Sequence, residues 1–302
     1  MRILMLVRQN ELADLPDLSS VCAPGATYQV VRLAARRDVS LRCITFRPPR
    51  ETARRGTMPE IVFIGGLASI IENFTDTLRG LTRTSVVHYL ETHEKGGSRI
   101  AEGADLSIPA MARDVAAAVA ALDLRDGSYI MTGYSLGATL ILEAVMYLRQ
   151  QPAAVVLVEP NAAFPFPGWV LLLARFGSLI YRPMVPFLKW YVRCFRINVK
   201  QDEEMYRILC RILDAADPLK ICAVVRAIAP FRLDGDLARI TIPSLVIGTS
   251  LDSFHNFHDS RVIADGIHGS VYLDLQDNRR SHSAEVARHV ERFVISIRAL
   301  NA

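Results

Sequence analysis

Cysteine is scarce in this chain: there are five among 302 residues, at Cys22, Cys43, Cys194, Cys210 and Cys222. An odd number with no C-x-x-C spacing argues against a disulfide framework and against a cysteine-based zinc site, and it suits a reducing compartment. Long apolar runs are also missing. No stretch approaches the roughly 20 apolar residues that cross a bilayer. The apolar run at residues 3–7 is too short for a signal-peptide core and reads as a strand. Charge of either sign is hardly in excess: 35 Lys and Arg against 31 Asp and Glu give a net +4. That balance implies no nucleic-acid partner. Internal repeats and low-complexity segments are absent. The expectation is a soluble, cytoplasmic protein, whose 51% apolar residues suffice for one large core or a core with an inserted subdomain.

What is present centres on residues 128–150, SYIMTGYSLGATLILEAVMYLRQ. A short apolar run leads into Gly133-Tyr134-Ser135-Leu136-Gly137, and a long apolar segment with helical character follows. This is G-x-S-x-G between a strand and a helix, the setting in which a serine is held on a sharp, strained turn. Gly133 and Gly137 have no Cβ, so neighbouring backbone can pass close to the turn. Ser135 falls at the start of the helix, where free N–H groups favour negative charge. Ser135 is therefore the candidate nucleophile. A structural Gly-Ser turn between two buried elements is the plainer alternative.

Around this stretch, strands and helices alternate. Residues 28–33 and 39–46 predict a hairpin, 48–59 a polar loop, 60–64 a buried strand ending in Gly65-Gly66-Leu67, and 85–90 another strand. Residues 108–122 predict a helix, 154–158, 243–247 and 270–275 three more strands, and 283–297 a last helix with Val286, Val290, Phe293, Val294 and Ile297 at helical spacing. The fold class implied is α/β, a mostly parallel central sheet with helices on both faces. Residues 162–235 break the alternation: they contain no convincing strand and read as a helical cap inserted into a core made of residues 1–161 and 236–302.

A serine nucleophile needs a base and a group that orients the base. In a parallel sheet these partners belong on the loops at the carboxyl ends of the strands. Of seven histidines, His88 sits inside a strand run, His289 inside the last helix, and His268 precedes a strand, on the wrong side of the sheet. His282 follows the last strand and immediately precedes the last helix, which makes it the candidate base. Asp252 leaves the 243–248 segment directly and is the candidate acid, with Glu159 and Asp259 as rivals. The chain order Ser135…Asp252…His282 is that of one of the known triad architectures. An oxyanion hole needs two N–H donors, for which the backbones of Leu136 and Leu67 are placed.

With these pieces in place, the chain resembles the α/β-hydrolase family over most of its length. The matching segments are the 28–46 hairpin, IVFIGGL, TGYSLG, IPSLVIGTSLDSFHNF and SHSAEVARHVERF. The resemblance implies Ser135 as nucleophile, Asp252 as acid, His282 as base, and Leu67 and Leu136 as oxyanion donors. Two departures mark the chain. Gly65-Gly66-Leu67 stands where members commonly carry H-G-x, and ETHEKGGS (91–98) where they carry D-x-R-G-x-G-x-S. Members with an aspartate nucleophile are disfavoured by Ser135.

Substrate information lies in the cap. Residues 164–200 hold seven aromatic residues beyond the FPFP start, six basic residues and no acidic one, and residues 162–235 carry 11 Lys and Arg against 6 Asp and Glu. Pro183 and Pro186 are expected to interrupt any single helix there. An apolar pocket wall with a basic rim would suit an acyl chain on an anionic carrier or a membrane surface. Packing helices with solvated outer faces are the plainer alternative. The expected activity is hydrolysis of an ester or thioester with a hydrophobic acyl part, without metal or organic cofactor, on a small-molecule or carrier-bound substrate. An acyltransferase or cyclising enzyme would use the same acyl-serine, and a non-catalytic binding protein is the rival of a different class.

Overall fold

The computed structural model describes residues 17–53, 58–176, 178–196, 203–235, 237–251 and 257–300. The strand expected over residues 3–7 lies outside them. The chain begins with the hairpin β1 (Thr27–Arg36) and β2 (Val39–Arg47), then a helical turn α1 (Arg50–Ala53) inside the expected polar loop. β3 (Glu60–Ile64), α2 (Thr75–Leu81), β4 (Val87–Leu90), the two-residue β5 (Arg99–Ile100) and α3 (Ile108–Ala121) follow. Next come β6 (Tyr129–Tyr134), α4 (Leu136–Ala144) and β7 (Ala154–Val158). Among the described residues, four α-helices lie between β7 and the next strand: α5 (Gly168–Phe176), α6 (Ser178–Tyr191), α7 (Glu203–Ala215) and α8 (Pro218–Ile228). The chain closes with β8 (Ser244–Gly248), α9 (Phe257–Gly266), β9 (Val271–Asp274), α10 (Asn278–Ser281) and α11 (Ala284–Leu300).

The sheet runs β1-β2-β4-β3-β6-β7-β8-β9, with β5 paired to β2. β2 is antiparallel to β1 and β4, and every pairing from β4 to β9 is parallel. Every residue of β6, β7 and β8 is buried. That is why these strands read as unbroken apolar runs, since helices cover both faces. One face packs Met111 and Val115 of α3, Leu140 and Ile141 of α4 and Ile263 of α9. The other packs Leu78 of α2 and Val286 and Val290 of α11, together with Phe74. The parallel strands end on one side, so the loops after β3, β4, β6, β7, β8 and β9 gather there.

Two expectations are corrected. The helix after Ser135 stops at Ala144 rather than running on: Met146 and Tyr147 bond back by three residues, and the Gln151 side chain donates to Val145 O and Leu148 O, satisfying carbonyls that a longer helix would use. The helix α6 continues through Pro183 and Pro186, where an interruption is expected. Both prolines lie on its exposed side, where carbonyls left without a helical partner can be met by water.

Candidate active site

Ser135 is the N-cap residue of α4 and has φ 49° and ψ −115°. A side chain at positive φ costs on the order of 1–3 kcal/mol and persists only where the surroundings enforce it. Here they do. Ser135 N–H donates to Val158 O (2.8 Å) and Ser135 O accepts from Thr139 N–H (3.0 Å), tying the turn to β7 and to the first turn of α4. The two elbow glycines are required by close approach. A Cβ on Gly137 would lie 2.3 Å from Ile64 O, and one on Gly133 would lie 2.7 Å from Ala138 N.

Ser135 Oγ accepts a hydrogen bond from Asn161 Nδ2 at 3.0 Å. Asn161 follows β7 and is itself fixed on α4, its N–H donating to Thr139 Oγ1 and its carbonyl accepting from the same hydroxyl. Nothing in a single sequence marks this asparagine; only its place on a loop at a strand's carboxyl end hints at it. His282, which lines the same cavity as Ser135, occupies the turn between α10 and α11. Its ring stacks on Phe74 (centroids 5.6 Å apart, planes at 18°) and tilts against Tyr134 (5.2 Å). Burial pushes the Tyr134 phenol well above its ordinary range, so it stays a neutral wall beside the imidazole. His282 Nδ1 lies 3.1 Å from Asn278 O and 3.2 Å from Ser281 Oγ. A carbonyl only accepts, so the contact with Asn278 places the proton on Nδ1 and leaves Nε2 with the lone pair a general base needs.

Ser135, His282 and Glu159 line one cavity of about 620 Å³, with Gly66, Leu67 and Phe74. The N–H groups of Leu67 and Leu136 meet no protein acceptor among the described residues. Gly66 passes so close to Ser135 that a Cβ on it would stand 3.3 Å from Ser135 Cβ.

The three candidate acids fare differently. Asp252 lies outside the described residues. Asp259 accepts the Ala162 N–H at 2.9 Å, in the segment between β7 and α5. Glu159 is buried at the end of β7 with φ 51°. Its Oε1 accepts from Thr249 Oγ1 (3.0 Å) and Ser281 Oγ (2.7 Å), and Ser281 touches His282 Nδ1. Its carboxylate thus reaches the imidazole through one hydroxyl. Two other histidines are committed elsewhere: His88 to Thr45 and Glu60, and His93 to the buried Asp114.

No family model matches the chain, and no curated protein matches its sequence. Solved structures do. A hydrolase from Pseudomonas aeruginosa PA01 superposes with a TM-score of 0.70 at 19% identity, over 89% of this chain and 98% of that one. The enol-lactonase from Burkholderia xenovorans LB400 gives 0.70 at 18%, over 87% and 99%. A thermophilic esterase from Thermogutta terrifontis gives 0.68 at 17%, over 89% and 99%. The chain has the α/β-hydrolase fold.

Within this α/β-hydrolase fold, α5 to α8 sit over the loops that carry the site. A second cavity of about 200 Å³ lies inside these helices, with an almost wholly apolar lining that includes Trp169, Leu173, Tyr181, Met184 and Ile212. It reaches Ala68, next to Leu67, and shares Ile212 with the Ser135 cavity. The outer side of α5 and α6, with the turn at Val192–Arg196 that follows, is also apolar: Leu172, Phe176, Phe187, Trp190 and Phe195 are 43–66% exposed. Trp169 packs edge-on against Phe187 and Tyr191, joining α5 to α6. Arg175, Arg182 and Arg193 are exposed among these rings. No helix among the described residues is long and apolar enough to cross a membrane.

Proposed function

We propose that the protein is a serine hydrolase that cleaves an ester or thioester with a hydrophobic acyl part. The observation that carries this reading is Ser135, held at positive φ on a helix N-terminus and lining one cavity with His282. Ser135 Oγ attacks the carbonyl carbon while His282 Nε2 takes its proton. The carbonyl electrons move onto oxygen, which the Leu67 and Leu136 N–H groups stabilise. Collapse breaks the bond to the alcohol or thiol, which leaves with the proton from His282. Water then attacks the acyl-Ser135 by the same steps, and the acid is released. Asp252, as the proposed acid, orients His282 and stabilises the imidazolium. The resting Ser135–Asn161 hydrogen bond fits this sequence, because nucleophile–base contacts often tighten only when substrate binds.

The apolar cavity beside the oxyanion loop supports a hydrophobic acyl group, and similar structures described as a hydrolase, an esterase and an enol-lactonase support the reaction class. A series of p-nitrophenyl esters and acyl thioesters tests the proposal. Each methylene buried is worth about 0.8 kcal/mol, so kcat/KM should rise up to about fourfold per carbon from acetyl until the cavity fills. A Ser135→Ala variant should be inert throughout. A series that is fastest at acetyl and falls from there would remove the hydrophobic acyl part of the proposal.

A further inference from the structure

Residues 91–98, where the chain departs from the pattern it otherwise resembles, lie directly behind the oxyanion loop. Glu94 and Lys95 are 3% and 9% exposed and form an ion pair of 3.1 Å. Buried pairs of this kind are poor sources of stability, since desolving each ion costs several kcal/mol and apolar side chains of similar volume do as well. What apolar side chains cannot do is grip backbone. Lys95 Nζ donates to Gly66 O (2.9 Å) and Ser69 Oγ (3.2 Å). Gly66 O also accepts from the Ser69 hydroxyl (2.8 Å) and the Ser69 N–H (3.2 Å). Glu94 Oε1 accepts the Ala68 N–H at 2.9 Å, with Thr92 Oγ1 at 2.7 Å holding the carboxylate. Ala68 is at φ 56°, a backbone conformation that needs such support.

In a trans peptide the C=O and the next N–H point in opposite directions. Fixing Gly66 O therefore fixes the direction of the Leu67 N–H, and fixing the Ala68 N–H fixes the peptide that follows. We propose that Lys95 and Glu94 are positioning residues, an ion-pair clamp that holds the Gly66–Leu67 and Leu67–Ala68 peptides so that the Leu67 N–H is preorganised for the oxyanion. The ammonium at the carbonyl end polarises the Gly66–Leu67 peptide in the sense that favours negative charge at its N–H end. Burial pushes the Glu94 carboxyl up, but the Lys95 charge and the bonds from Thr92, its own backbone and Ala68 together hold it below the usual range, so it is ionised at neutral pH. Lys220 of α8 braces the clamp by donating to Lys95 O (3.2 Å) and Ser98 O (2.7 Å), which links it to the cap.

This inference rests on the serine-hydrolase reading, and the experiment separates the two. Wild type is first assayed on the best ester and labelled at Ser135 with a fluorophosphonate; an unlabelled, inert wild type ends that reading, and this inference with it, before any variant is made. Lys95→Met and the double variant Lys95→Met/Glu94→Gln are then compared with wild type. The double variant leaves no buried charge and keeps an acceptor for the Ala68 N–H, so it decides the matter if Lys95→Met alone does not fold. Removing an oxyanion donor outright costs about 10²- to 10³-fold, and loosening one should cost ~10- to 100-fold in kcat. KM should stay near that of wild type, and the affinity for a trifluoromethyl ketone, which forms a tetrahedral adduct on Ser135, should fall by the same factor as kcat/KM. A folded double variant with unchanged kcat and unchanged ketone affinity would overturn the clamp. So would a loss of thermal stability without the matched loss of ketone affinity, since that is what a merely structural pair would give.

Discussion

Gly137→Ala adds one methyl group to the elbow, and the structure says where it must go. The new Cβ would stand 2.3 Å from Ile64 O and 2.7 Å from Gly65 O, whereas ordinary contact begins near 3.4 Å. The shortfall against Ile64 O is therefore about 1.1 Å. Both obstructing atoms are backbone, so no rotamer change relieves them. Either α4 lifts off β3, or the carboxyl end of β3 moves and carries Gly65-Gly66-Leu67 with it. Overpacking of this kind costs about 1–3 kcal/mol, and a misplacement of ~1 Å at a reacting geometry can cost about 10²-fold in rate. The variant should melt several degrees below wild type and lose about two orders of magnitude in kcat on the best ester. Thermal melts and steady-state kinetics on the same preparation read both effects. A variant as stable and as active as wild type would show that the elbow is not packed against β3 in this way.

Other consequences follow from particular contacts. Asp252→Asn should lower kcat by about 10⁴-fold, as loss of the orienting acid does in a triad. Glu159→Gln, which touches His282 only through Ser281, should cost far less; the reverse order, read from steady-state kinetics, would make Glu159 the acid. Arg280 grips both oxygens of Glu285 (2.9 and 2.6 Å) and, against some desolvation and with help from His289, holds its carboxyl down at about 2 from an ordinary 4.5. A depressed carboxyl stabilises the fold fully above its unfolded value and loses that effect as pH falls through the folded one. Glu285→Gln should therefore lower Tm at pH 7, and the gap should close between about pH 4.5 and 2; a gap of constant size across thermal melts would contradict the assignment. The exposed rings and arginines of α5 and α6 should bind anionic vesicles at low salt and release them at high salt. Sedimentation that shows no binding at low salt would remove a membrane surface as the partner of this face.

The sequence speaks most clearly where burial is complete. β3 and β7 have the bounds that their apolar runs predict, because strands covered on both faces show no polar alternation to blur them. The segments α2 and α9 leave no clear sequence signal, being short and mixed in polarity, and β5 is only two residues long. The path of α6 through Pro183 and Pro186 depends on which side of the helix faces water, and tertiary packing decides that. For the site, the pattern around Ser135 and the place of His282 after the last strand sufficed to pick two residues that share a cavity. Asn161, Ser281 and the Glu94–Lys95 pair were not assigned roles, because each acts through a contact across loops: Asn161 Nδ2 to Ser135 Oγ spans 26 residues of chain. The segment ETHEKGGS stands out as a departure, and two of its charged residues, Glu94 and Lys95, bond the backbone of Ala68 and Gly66.

The most direct measurement of the central claim is intact-protein mass spectrometry after treatment with a fluorophosphonate, followed by mapping of the modified peptide. Wild type should gain one phosphonyl group, located on Ser135, and Ser135→Ala should gain none. His282→Ala should label only slowly, because the serine then lacks its base. Equal labelling of wild type and Ser135→Ala, or a phosphonyl group mapped to any other residue, would contradict the assignment of Ser135 as the nucleophile.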